Sequence, residues 1–229
     1  MKKINPCFAA LLVAMIACLL FFGKSHAQSE SEQIAAADLT NARIALMPFL
    51  QGQLESADQT IAKPLSKTLS ELEVDYRGLP EGSDRIIYRV AGKELKLRFQ
   101  DNMIPADLAV EAYAKIEKDP TLDTPRKRAV GFGKMLQADI VVVGTVWRFR
   151  EKGALEDVPD SPASVGFALY LVDVETGLRL WRGTFDGTQK ALTEDVLGGI
   201  KQLGMGLHWL TAEELARYGV KSLLRKLPS

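Results

Sequence analysis

The sequence predicts an α/β (α+β) domain: a single mixed sheet of about five strands with helices packed on it, behind an N-terminal signal segment. Three observations carry this. Residues 138–147, Ala-Asp-Ile-Val-Val-Val-Gly-Thr-Val-Trp, are the most β-branched run in the chain and read as a central strand. Two helix starts are written out plainly, Thr124-Pro125 and Thr211-Ala212-Glu213-Glu214. The order strand, helix, strand, helices, three strands, helix suits a mixed sheet with helical cover. No period of roughly 20 to 50 residues repeats, which excludes solenoids and propellers.

The elements follow in order. Arg43-Ile44-Ala45-Leu46-Met47-Pro48-Phe49 is a short apolar run closed by Pro48, a buried first strand. Residues 51–84 are polar with scattered leucines and contain the turn cluster Gly78-Leu79-Pro80-Glu81-Gly82. Residues 83–99 admit two readings. Ile86, Tyr88, Val90, then Leu95, Leu97, Phe99 alternate around Gly92 as a hairpin would, whereas a helix from Ser83 places Ile86, Ile87, Val90 and Ala91 on one face. Residues 102–104 form a short second strand, and 107–117 a helix with Leu108, Ala112 and Ile116 inward.

Thr124 caps a helix that runs to about Leu136 and turns Val130, Met135 and Leu136 inward. The central strand follows, then a charged loop over 152–162. Residues 164–173 and 178–188 are two strands around Val174-Glu175-Thr176-Gly177. In that hairpin Asp173 and Thr176 bond local backbone and Gly177 supplies a positive φ. Trp181 shares a strand face with Arg179 and Gly183, so its apolar partner must be a covering helix or another protein. Residues 198–206 are a glycine-rich connection. Thr211 and Glu214 make a capping box, with Leu210 and Leu215 as hydrophobic staple, opening a last helix that reaches about Lys226.

Composition restricts the function. The chain has 229 residues, 29 Lys+Arg against 29 Asp+Glu, and 47% hydrophobic residues, which is ordinary globular composition. Zero net charge leaves no large basic surface for nucleic acid. The first 27 residues differ from the rest. Lys2 and Lys3 precede an uncharged apolar run over 8–22, and Ser25-His26-Ala27 is a small-x-small triplet. That is a secretory signal peptide, cleaved between Ala27 and Gln28. Two rival readings place the chain on a membrane: an uncleaved anchor, although the run falls short of the roughly 20 residues of a span, and lipidation at Cys18. The expected organisation is therefore signal 1–27, polar leader 28–40 and one domain over 41–229, located in the periplasm.

Cleavage removes Cys7, Cys18 and His26. The mature chain has no thiol, hence no disulfide, cysteine nucleophile or cysteine-based metal site. His208 is then the sole histidine, which excludes zinc sites built on two or three histidines. Gly131-Phe132-Gly133-Lys134 fails as a phosphate loop, because Arg128 stands where the first glycine is needed and Met135 where Ser or Thr is needed. Its glycines read instead as close packing of helix on sheet. Asp157, Asp160, Asp173, Glu175 and Asp186 fit no calcium loop and read as turn residues. Asp173 to Trp181 also matches one copy of the D-x-x-T-G-x-x-x-W repeat of quinoprotein propellers, and a single copy is a hairpin, not a propeller.

Taken together, residues 43–49, the segment Gly133-Lys134-Met135-Leu136-Gln137-Ala138-Asp139 leading into 140–146, and residues 165–181 resemble a known envelope α/β domain. It is shared by the TolB N-terminal domain, the CsgG-type curli-secretion lipoprotein and the LpoB-type activator of peptidoglycan synthases. The likeness extends to exported proteobacterial proteins with the Thr-Pro-Arg helix start, the Gly-Thr-Val-Trp strand and the Leu-Thr-Ala-Glu-Glu-Leu helix. It implies a helix over 83–99. It also implies a non-catalytic accessory or adaptor protein with an envelope-protein partner and no cofactor; the alternatives are a secretion-complex subunit and a hydrolase or transferase using carboxylates. Membrane contact is expected only through an uncleaved or lipidated N-terminus. No channel hairpins are visible, and the oligomeric state stays open.

Overall fold

In the computed structural model of the chain, residues 39, 41–54, 65, 68–71, 79–155, 161–188 and 210–227 are described. The β-branched run forms β3 (Ile140–Arg150), whose first seven residues are all buried. Such a strand must be covered on both faces, and its neighbours follow from that. β1 (Ile44–Leu46) and β2 (Leu50–Gln51) pair parallel with β3, in the registers Ile44 to Ile140 and Leu50 to Thr145. They are two pieces of one edge interrupted at Pro48, which has no amide to donate. The Met47 amide still reaches the Val142 carbonyl at 3.0 Å. On the other side β4 (Ser164–Asp173) runs antiparallel to β3, and β5 (Arg179–Thr188) antiparallel to β4. The result is a five-stranded mixed sheet, as expected.

Among the described residues, four long helices cover it: α1 (Ser83–Phe99), α2 (Ala106–Ile116), α3 (Pro125–Leu136) and α4 (Ala212–Leu224). Helices α2 and α3 lie on one sheet face, where Ala109, Ala112, Ile116, Ala129 and Phe132 pack with Val141, Val143, Tyr170 and Val172. Helices α1 and α4 pack together on the other face. There a Cβ on Gly219 of α4 would press on Phe167 at 2.9 Å. All these elements belong to the unit Leu39–Ser229.

Both written-out helix starts are present. The Thr124 hydroxyl accepts from the Lys127 amide at 3.3 Å, with Pro125 at the first helical position. Thr211 and Glu214 form the reciprocal capping box, at 2.9 and 3.2 Å. Residues 83–99 are a helix and not a hairpin, with Ile87, Val90, Ala91 and Leu95 buried. Three sequence expectations need correction. Leu108 and Met135 face solvent, not the core. The buried faces are Ala109, Ala112, Ile116 and Ala129, Phe132, Gly133, because small side chains let each helix approach the sheet closely. Residues 102–104 make no strand; Met103 alone bridges Ile44. The expected signal cleavage at Ala27 and Gln28, Cys7, Cys18, the leader to residue 38, the connection at 198–206, His208, Asp157 and Asp160 lie outside the described residues.

Candidate functional site

The hairpin between β4 and β5 holds the residues that the sequence singled out. Asp173 Oδ1 accepts from the Thr176 amide at 2.7 Å and from its hydroxyl at 2.6 Å, and the Gly177 amide reaches the Asp173 carbonyl at 2.8 Å. Gly177 has φ +66°, a conformation that strains a side chain bearing a Cβ. Trp181 lies on the same sheet face as Leu171 and Gly183. A Cβ on Gly183 would meet both that indole and Leu223 of α4. The covering element for Trp181 is thus α4, and the indole is 8% exposed. These residues build a turn and a core contact.

Three of the carboxylates, Asp139, Asp173 and Asp186, are likewise engaged. Asp139 Oδ2 accepts from the Arg43 amide at 2.8 Å, which ties the start of β1 to the start of β3. Asp173 caps the turn. Asp186 takes the Trp147 indole N–H at 3.4 Å and pairs with Arg148. A β-bulge between Val146 and Arg148 accompanies that pairing. Lys134 lies beside Asp139, Asp173 and Glu175 around a small hollow of about 240 Å³. Gly133 is buried against Val174 and Val141, so the Gly-x-Gly-Lys segment packs α3 on the sheet. Among the described residues no group of three His, Cys, Asp or Glu side chains is placed to hold a metal ion. None of their helices is long and apolar enough to cross a membrane.

A different region has the geometry of a binding site. Along the outer flank of α1 runs an apolar groove of about 720 Å³. Its floor is Leu46, Gly92, Met103, Ile104 and Ala109; Pro105 and Ala106 form the far wall. Leu97 stands in it 73% exposed. Arg89, Lys93 and Lys96 form a basic rim. Arg89 reaches back to Glu213 of α4 at 3.0 Å. Lys96 donates to the Gln100 carbonyl at 2.5 Å and lies 3.9 Å from Asp101. The Lys93 ammonium, between them, has no polar partner among the described residues.

Tyr88 closes one end of the groove, and also borders a second, more polar hollow of about 780 Å³ beside Gln51, Tyr113 and Arg128. Its hydroxyl is buried and has no hydrogen-bond partner among the described residues. Burial pushes the phenol above its ordinary pKa, so it remains a donor in need of an acceptor. Sequence reasoning missed this groove. The signals were a glycine in mid-helix at Gly92 and a leucine at Leu97 on an otherwise cationic stripe, both of which also suit a solvated helix face.

No protein-family model matches the chain, and none of the curated proteins matches it. Several solved structures are similar in fold. The PelC dodecamer from Paraburkholderia phytofirmans is 14% identical, with a TM-score of 0.43 over 82% of this chain and 88% of that one. The LpoB C-terminal domain from Salmonella enterica is 15% identical, with a TM-score of 0.37 over 69% and 91%. A lipoprotein from Neisseria meningitidis is 18% identical, with a TM-score of 0.42 over 71% and 98%. The LpoB-type domain expected from the sequence is among them. At these identities, and at TM-scores below 0.5, neither a partner nor an assembly passes from those proteins to this chain.

Proposed function

We propose that this chain is a non-catalytic accessory or adaptor protein of the cell envelope that binds another envelope protein. The observation that carries the reading is the groove on α1: an apolar floor, a basic rim and an exposed leucine. A soluble domain gains nothing by itself from leaving Leu97 in water, whereas a partner that covers it recovers the hydrophobic free energy. Of the carboxylates that a hydrolase reading would use, Asp173 caps a turn and Asp186 holds an ion pair. The signal layout of residues 1–27 supports a periplasmic location, with the mature chain beginning at Gln28.

The test is affinity purification of the full-length chain from envelope extracts after mild crosslinking, combined with intact-mass analysis. The reading expects a stoichiometric protein partner and a mass beginning at Gln28. Turnover of a cell-wall substrate without such a partner overturns the adaptor assignment. An acylated mass beginning at Cys18, or an uncut chain, moves the protein onto a membrane.

A further inference from the structure

We infer that the groove on the outer flank of α1 receives an amphipathic helix of the partner protein, with carboxylates flanking its apolar face. The inference rests on the adaptor reading and names the chemistry of its partner. The layer on this sheet face contains α4 and α1 side by side, and the groove is the next position in that row. From Tyr88 to Leu97 it extends about 14 Å at 1.5 Å per residue, which matches two to three turns of a docked helix. Gly92 lies midway with no side chain, so a second helix axis can come close there.

An extended strand does not fit. The Ile44 carbonyl, on the open edge of β1, already accepts the Ile104 amide at 2.9 Å, and Pro105 follows with no N–H to offer. The α1 wall is a helix whose backbone groups are internally paired, so a segment lying along it must satisfy its own backbone, as a helix does. A single acyl chain does not fit either: ligand chains are usually enclosed on most of their surface, and Leu97 stands in the open. The basic rim of Arg89, Lys93 and Lys96 is complementary to an anionic group on the partner's flank.

The experiment places a photocrosslinking amino acid at Leu97 and, in a second strain, at the exposed Thr184 on the opposite sheet face, in the full-length chain in cells. The expected result is capture at Leu97, with the crosslinked peptide mapping to a helix of another protein whose apolar residues recur every three to four positions between Asp and Glu. Capture at Thr184 alone leaves the adaptor reading standing and overturns the groove. No capture at either position removes both. A crosslink from Leu97 to residues 106–116 of a second copy, or to a basic or extended segment, overturns the acidic-helix assignment.

Binding in vitro uses two synthetic amphipathic peptides with the same leucines, one carrying glutamates and the other lysines, together with palmitate and phosphatidylglycerol vesicles. The glutamate peptide should bind at least about tenfold more tightly than the lysine peptide, and weaken as salt rises. Lys93→Glu and Leu97→Glu should each reduce its affinity about tenfold or more, with unchanged circular dichroism. Equal binding of the two peptides, tighter binding of palmitate or vesicles, or indifference to both substitutions overturns the proposal.

Discussion

The two flanks of α1 differ more than their sequences do. On the inner side Ile87, Val90, Ala91 and Leu95 are buried against the sheet and α4, and the ion pairs Arg89–Glu213 and Lys221–Glu94 tie the two helices together at 3.0 and 3.8 Å. On the outer side Gly92, Lys93 and Leu97 border open space. Leu95 and Leu97 are two residues apart, yet one is 1% and the other 73% exposed. Burying a leucine contributes roughly 1.5 to 3 kcal/mol. The inner flank has that contribution from folding; the outer flank has it only when something else covers it. One helix thus serves stability on one side and, in the proposed function, recognition on the other.

Substitutions in this layer separate the two roles. The largest loss is expected beneath α4, where Trp181→Ala should cost roughly 3 to 5 kcal/mol in urea unfolding, because the indole fills the space over Gly183. A loss below about 1 kcal/mol would mean that the α4 side is no better packed than the groove. Leu95→Ala should cost roughly 2 to 5 kcal/mol, while Leu97→Ala stays within about 0.5 kcal/mol and weakens partner binding. Equal costs at the two leucines would erase the distinction between the flanks.

Gly177→Val lies away from α1, in the β4–β5 turn beside α3 on the other sheet face. It should cost roughly 1 to 3 kcal/mol, since φ is +66° and the new Cβ would crowd Arg126 and Val130 at 3.1 and 3.2 Å. An unchanged melting temperature would show that the turn tolerates a β-branched residue. The smallest effect has the opposite sign. Gly92→Ala meets Leu46 at an ordinary 3.6 Å and should stabilise the helix by about 0.5 to 1 kcal/mol. It also adds a methyl to the groove floor, so binding should fall as stability rises; parallel changes in the two would break the division of labour.

The frame of the fold was legible because its signals are local. Thr124-Pro125, the Thr211–Glu214 box, the β-branched core of β3 and the Thr176-Gly177 turn each specify their own element through a hydrogen bond or a restricted dihedral. Helix faces were less legible. Leu108 and Met135 have the bulk that hydrophobic patterning rewards, yet Ala109 and Gly133 face the sheet, because the close approach of helix and strand admits little volume. At α1 the alternation of Ile86, Tyr88 and Val90 mimics a strand, and only tertiary contact with α4 and β3 decides for the helix. The groove was illegible for a related reason. Its walls come from residues 88–97 and 103–109, and its openness is set by what does not pack on α1.

The parallel pairing of β1 with β3 has a temporal consequence. The Arg43 amide and the Asp139 carboxylate that join the two strand starts are 96 positions apart in the chain. Synthesis delivers the N-terminus first, so the apolar run Ile44-Ala45-Leu46-Met47 emerges long before β3 can receive it. Strands β3, β4 and β5, by contrast, pair with sequence neighbours and close far shorter loops. The edge strand is therefore expected to dock last, and until then its apolar residues stay exposed. Pulsed hydrogen exchange during refolding should show the amides of β4 and β5 protected before those of β1, and the reverse order would refute this sequence of events.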